Sequence, residues 1–258
     1  MGPSPKLSYR IWFTPRSGST MLCKALEQTQ VAGKPQEFFN VPSDGTLLKM
    51  HQVEDYPALR AHLWRTGSSE NGVFGIKHSQ FTARYQQLLG ELSSLRGIDV
   101  DSLSDHEVFW TDLFPNVRHI YLTRRNKVRQ AVSWWRAIKT EEWHLQPGQQ
   151  RKALSEDWLQ EQYDFAALRH LFTEAALREC AIEAYFAAHQ VKPLTVVYED
   201  LCRDYQKELQ RILDFLEVEY TVKDKEHTHY QCTSDEYSAH WVQQFRKDLQ
   251  TDWSHQAW

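Results

Sequence analysis

Thr14-Pro15-Arg16-Ser17-Gly18-Ser19-Thr20 gathers hydroxyls, one glycine and one guanidinium in a single short stretch. It follows the apolar run "YRIWF" and precedes "MLCKAL". A turn of this composition between a strand and a helix can hold an anion. The unbonded N–H groups at a helix start favour negative charge. Gly18 lets the backbone come close, Ser17, Ser19 and Thr20 offer donors, and Arg16 adds a delocalised cation. The full nucleoside-triphosphate loop, G-x-x-x-x-G-K-[ST], is absent, as is an aspartate suited to hold magnesium. That disfavours triphosphate hydrolysis. The plainer reading is an N-capped helix after a strand.

A second stretch carries similar chemistry. Arg124-Arg125-Asn126 follow the run "VRHIYLT", and Ser133 stands eight residues after Arg125. An arginine at a strand end and a serine two helical turns on can grip a further phosphate. Together the two stretches suggest a ligand with two separated anionic groups. Glu37, in Pro35-Gln36-Glu37-Phe38-Phe39, is a carboxylate that could take a proton from an attacking hydroxyl. On residue type alone it reads better as a charge at a helix start. Lys77 ends "FGIK" and reads equally as a ligand contact or a surface lysine. Trp134, Trp135 and Trp143 read as core packing rather than sugar stacking. Glu199 and Asp200 in "YEDL" read as strand terminators. His227-Thr228-His229 lack the carboxylate or cysteine spacing of a metal site, so no metal is expected.

Periodicity supplies the elements that must position these groups. Residues 8–14, 71–77, 117–123 and 193–201 read as strands, the last with a turn. Residues 19–29, 80–96, 126–143 and 203–217 read as helices. A long helical stretch over 155–190 reads as continuous or broken in two. The last 40 residues receive no assignment. Strands alternating with helices imply an α/β fold, a parallel β-sheet flanked by helices. Ligands on such sheets bind beyond the carboxyl ends of the strands, where 14–20 and 123–133 lie.

The bulk numbers agree. At 258 residues the chain suits one domain over 1–258. Its 41% apolar and 25% charged residues mark a globular protein, and a net charge of −4 argues against a nucleic-acid coat. Cys23, Cys180, Cys202 and Cys232 are far apart and lack C-x-x-C spacing, which predicts reduced thiols and a cytoplasmic location. No run approaches 18 apolar residues, so no membrane span is expected.

Taken together, "TPRSGSTML" with "VAGKPQEFF" resembles the bacterial trehalose 2-sulfotransferase family and related lipopolysaccharide-type sulfotransferases. "YLTRRNKVRQAVSWWRA" is similar to that family's 3′-phosphate segment. "NGVFGIK", "VVYEDL" and "TSDEYSAHWVQQFRKDL" also have counterparts there. The resemblance spans nearly the whole chain. It implies a P-loop nucleotide-kinase-like sulfotransferase fold and 3′-phosphoadenosine 5′-phosphosulfate (PAPS) as donor, leaving 3′-phosphoadenosine 5′-phosphate (PAP), without a metal. By resemblance, Arg16 to Thr20 form the phosphosulfate loop, with Arg16 stabilising the leaving phosphate. Arg125 and Ser133 match the 3′-phosphate clamp, with Arg124 in reserve. Glu37 matches the proposed catalytic base. Lys34, Pro35, Gln36, Phe39 and Lys77 are candidates for the acceptor side. The acceptor is a small molecule, glycan or glycolipid, and a homodimer is carried over by analogy alone.

One departure bears on the acceptor. The trehalose enzyme resembles "GEPQEFF" where this chain has Gly33-Lys34-Pro35. The reversed charge argues against trehalose itself and towards an acidic or phosphorylated glycan, or a lipid. Two other classes stay open: a P-loop-like nucleotide kinase needing magnesium and ATP, and a nucleotide-binding relative without activity.

Overall fold

The structure, a computed structural model, describes residues 4–42, 44–79, 82–99, 109–143, 154–222 and 236–251. Four strands form its sheet: β1 (Leu7–Phe13), β2 (Val73–His78), β3 (Val117–Thr123) and β4 (Leu194–Val197). Their order is β2-β1-β3-β4, and every neighbouring pair is parallel. The helices are α1 (Ser19–Gln28), α2 (Leu47–His51), α3 (Tyr56–Gly67), α4 (Thr82–Arg96), α5 (Lys127–Thr140), α6 (Glu156–Glu161), α7 (Phe165–Ala188), α8 (Tyr198–Arg203), α9 (Tyr205–Phe215) and α10 (Glu236–Leu249). Residues 109–113 are also helical.

β1 is buried from Ser8 to Phe13, as a central parallel strand covered on both faces must be. Alternate side chains serve opposite faces. Tyr9, Ile11 and Phe13 join Leu22 and Leu26 of α1 and Leu209, Ile212 and Leu213 of α9 in one core. On the other face Trp12 packs with Tyr121 of β3 and with Ile182 and Phe186 of α7. Phe74 and Ile76 of β2 join Leu59 and Leu63 of α3, Leu88 and Leu92 of α4, and the aromatic group Phe109, Trp110 and Phe114.

The expected α/β alternation is therefore present, with one correction and several additions. The fourth strand stops at Val197, and Tyr198–Arg203 is helical. Glu199 and Asp200 occupy the first turn of α8, where a carboxylate suits the exposed N–H groups. Helices α2 and α3 stand where none was expected. Thr46 and Asp55 cap them, each accepting a backbone N–H from the third residue on. The long stretch is two helices, with Asp164 capping α7. The unassigned C-terminal region contains α10, whose Trp241, Val242 and Phe245 pack against Val132 of α5.

Cysteine behaviour also differs from expectation. Cys23 and Cys180 are free, but Cys202 is disulfide-bonded. Separation along the chain says nothing of distance across a fold, which is what a disulfide requires. Cys232 lies outside the described residues, as do His227 and His229. Among the described residues, no helix is long and apolar enough to cross a membrane.

A buried pair beneath the sheet gives a pH prediction. Trp12 Nε1 donates to His119 Nδ1 at 2.8 Å. Burial, then the nearby Arg10 charge, pushes the His119 pKa down to about 3. The unfolded chain binds that proton near pH 6.5. Stability from this group is thus complete above pH 6.5 and is lost as pH falls towards 3. His78, also lowered by burial and Arg10, acts with the same sign. Urea denaturation at stepped pH should show falling stability over that window, and His119→Gln should flatten the fall.

Candidate active site

The β1–α1 loop turns tightly. Ser17 N–H bonds Thr14 C=O at 3.2 Å, and Leu22 N–H bonds Gly18 C=O at 3.1 Å. Arg16 and Gly18 both take positive φ, 65° and 90°. No side chain caps α1, so its first N–H groups face outward without that partner. Ser17 is fully buried and its Oγ has no hydrogen-bond partner. A Cβ on Gly18 would sit 2.5 Å from the Tyr198 ring. Glycine here admits Tyr198 beneath the loop.

Helix α5 holds the loop from the side. Buried Gln130 donates from Nε2 to Thr14 Oγ1 at 2.7 Å and to Pro15 C=O at 2.8 Å. Arg16 Nε donates to Ser133 Oγ at 3.1 Å, and its Nη1 donates to Trp143 C=O. Arg16 and Ser133, assigned from sequence to opposite ends of a ligand, are therefore neighbours here. Trp134 is buried as expected, but Trp143 is 43% exposed and contributes its carbonyl.

The two adjacent arginines diverge. Arg125 forms a two-pronged ion pair with Asp200, Nη2 to Oδ2 at 2.7 Å and Nη1 to Oδ1 at 3.3 Å. Its side chain is 58% exposed. Arg124 is turned inward. Its Cζ lies 4.7 Å from the Tyr198 ring centre, and its Nη1 donates to Arg16 C=O at 3.1 Å. Its Nε makes no hydrogen bond, although Glu199 Oε1 stands 4.0 Å away. Glu199 accepts the N–H groups of Arg125 and Asn126 at 2.9 and 3.0 Å. Burial opposes its ionisation. Those N–H donors, then the Arg124 charge, outweigh burial and hold its carboxyl below the ordinary value. Glu199 thus braces the β3–α5 turn rather than ending a strand.

Glu37 reaches the same edge by a different route. Tyr9 OH donates to Ala32 C=O at 2.6 Å, and Lys34 N–H to Gly67 C=O at 2.8 Å. Gln36 then pairs in parallel with Ile76, its C=O accepting Lys77 N–H at 3.0 Å. This one bridge sets Glu37 beside Lys77. Glu37 is consequently in a turn, with Asn40 N–H on its C=O, and not at a helix start. Lys77 Nζ lies 2.7 Å from Glu37 Oε1 and donates to Thr20 Oγ1 at 3.3 Å. Lys77 is not a free surface lysine: its side chain is 11% exposed and paired with Glu37.

A small cleft of about 50 Å³ opens beside Glu37. Glu37, Phe39, Lys77, His78, Tyr85 and Arg84 are among its walls. Lys34 and Gln36 are exposed and Pro35 is buried, and none of the three lines it. The charge reversal at Lys34 thus lies off this cleft. Burial pushes the Cys23 thiol up to about 12, so α1 supplies no thiolate at neutral pH. Among the described residues, no three His, Cys, Asp or Glu side chains cluster as metal ligands.

Residue type missed four members of this region. Gln130, Tyr198 and Glu199 act through tertiary contacts that no local pattern signals. Arg10 sits inside an apolar strand run, and its charge was the available clue.

Comparison with known proteins follows this geometry. The chain is 30% identical to trehalose 2-sulfotransferase of Mycolicibacterium smegmatis, over 95% of this chain and 96% of that one. It is 29% identical to trehalose 2-sulfotransferase of Mycobacterium tuberculosis, over 80% and 82%. A sulfotransferase structure from Alicyclobacillus acidocaldarius aligns over 96% of this chain and 94% of its own, at 16% identity and a TM-score of 0.48. The family model described as Stf0 sulphotransferase matches residues 8–248. The chain belongs to the Stf0 sulphotransferase family and is a sulfotransferase.

Proposed function

We propose that the enzyme moves a sulfuryl group from PAPS to a hydroxyl of a carbohydrate or glycolipid, with Glu37 as general base. One observation carries this reading: Lys77 touches both Thr20 of the anion-holding loop and Glu37 of the cleft. A loop suited to the phosphosulfate and a carboxylate suited to the acceptor thus meet at one ammonium. The sugar acceptor is drawn from the relatives, both described as trehalose 2-sulfotransferases.

The donor, when bound, supplies an activated sulfur whose bond to phosphate oxygen breaks as the acceptor oxygen attacks. Glu37 takes the acceptor hydroxyl's proton at its carboxylate. Lys77, the α1 N–H groups and the loop hydroxyls stabilise charge growing on the phosphate. Each such donor is worth roughly 10²–10³-fold in rate. Ser17 Oγ and Arg124 Nε, both buried without a hydrogen bond, fit an anion at this edge. We assign the 3′-phosphate side to Arg124 with Ser133 and Arg16, because Arg125 is already engaged by Asp200.

Titration with PAP tests the reading. Binding without magnesium is expected, with labelled sulfuryl transfer to a sugar extract; magnesium-dependent ATP turnover instead would overturn it. Arg124→Ala should weaken PAP binding about 10–100-fold, the worth of a hydrogen bond to a charged group. Arg125→Ala should change it less than about 3-fold, as for an exposed ion pair. Equal losses at both positions would remove the assignment to Arg124.

A further inference from the structure

Arg10 stands in the middle of β1, on the face turned away from α1, and is only 1% exposed. Its guanidinium carbon lies 4.3 Å from the Trp12 ring centre and 4.4 Å from that of Trp110. Phe114 and Tyr185 follow at 5.2 and 6.0 Å. Aromatic faces can attract the cation, but they leave its in-plane N–H groups unbonded. Arg10 Nε and Nη2 have no hydrogen-bond partner, and no described residue forms an ion pair with it.

Its neighbours have the same deficit. The Arg10 guanidinium and the Trp110 indole N–H both point at Tyr85 OH closely enough to favour its ionised form, but neither closes a hydrogen bond. Trp110 Nε1, His78 Nε2 and Ser79 Oγ are also buried and unpartnered. Buried polar groups are nearly always paired, so a group of five such residues is exceptional. A buried cation is costlier still when it lacks a counter-charge. Burial and the Arg10 charge together keep His78 neutral, so it adds no second cation. Most of the orphaned atoms are N–H or O–H donors. Their common complement is an acceptor with negative charge.

The location gives this access to the acceptor. His78, Ser79 and Tyr85 line the cleft beside Glu37, and of these His78 and Tyr85 also lie close to the Arg10 charge. Arg84 adds a cation at the cleft wall. We propose that Arg10, Tyr85 and Trp110 form a binding site for a small anionic group behind the Tyr85 wall of this cleft. The group arrives either as a solute ion or as an acidic substituent of the acceptor, such as a carboxylate. The second source rests on the proposed activity; the first does not.

Bromide is the probe for the site itself. Crystals of the full chain soaked in sodium bromide should give an anomalous peak within hydrogen-bond distance of the Arg10 guanidinium. Bromide should also raise the thermal midpoint in a saturable way at ionic strength held constant with sodium gluconate. Tyr85→Phe keeps its ring and Trp110→Phe keeps an aromatic face, and each removes one donor. Either should weaken the saturation midpoint at least about 5-fold. Arg10→Met should abolish the effect. Absence of the peak, with a midpoint indifferent to anion identity, would overturn the site.

Acceptor pairs differing by one carboxylate then separate the sources. If the substituent binds here, Tyr85→Phe raises KM for the acidic member at least about 5-fold more than for the neutral member. Equal KM changes, with bromide still bound at Arg10, assign the site to a solute ion. Failure of all transfer, with bromide bound, counts against the proposed activity and not against the site.

Discussion

Glu37→Gln should lower the transfer rate about 10²–10⁴-fold, the contribution of a positioned base. The substitution keeps shape and one acceptor oxygen, so Lys77 retains a hydrogen-bond partner in place of its 2.7 Å ion pair. The turn at Asn40 and the bridge between Gln36 and Ile76 use backbone atoms and persist. PAP affinity should therefore stay within about 3-fold of the parent, since Glu37 faces the cleft while the loop lies beyond Lys77. A single-turnover transfer assay with parallel PAP titration reads both quantities. Full activity in the variant would remove Glu37 as base. A rate loss matched by an equal loss of PAP affinity would make it a positioning residue for Lys77.

Gly33→Ala should be the most damaging small substitution near the site. Gly33 takes φ +73°, in the left-handed region. An added Cβ would lie 2.8 Å from Val73 C=O, 2.9 Å from Gly67 C=O and 3.0 Å from Gly75 N. All three are backbone atoms of neighbouring segments and cannot rotate away. The left-handed strain alone costs about 1–3 kcal/mol. With the clash, a loss of at least about 3 kcal/mol is expected, among the larger effects of single substitutions. The same methyl would push Lys34–Glu37 off the edge of β2 and move Glu37 from Lys77. Urea unfolding measures the first effect and transfer rate in the folded fraction the second. A loss below about 1 kcal/mol would contradict the packing described.

The parallel sheet and both polar loops were legible because they are local. An apolar strand, a turn and an amphipathic helix each announce themselves within a few residues. What escaped the sequence was long-range. Glu37 joins Lys77 only through the pairing of Gln36 with Ile76, 40 residues along the chain, so residue type pointed to a helix start. Arg124 and Arg125 were indistinguishable until Asp200 engaged one of them. Tyr198–Leu201 looked like the end of a strand because "VVYEDL" carries β-favouring residues up to the acids that open a helix. Arg10 was absorbed into a buried strand on the expectation that such strands are apolar. Lys34 shows the converse: a telling difference in sequence that falls outside the cleft.

The single ammonium shared by Thr20 and Glu37 has a thermodynamic consequence. Any negative charge arriving at the loop draws Lys77 towards Thr20 and loosens its hold on Glu37. A proton-bearing acceptor arriving at Glu37 does the reverse. On the proposed roles of the loop and Glu37, the affinities of the two reactants are therefore coupled, and each must alter the other by the same factor. That coupling would then be a property of one side chain, Lys77.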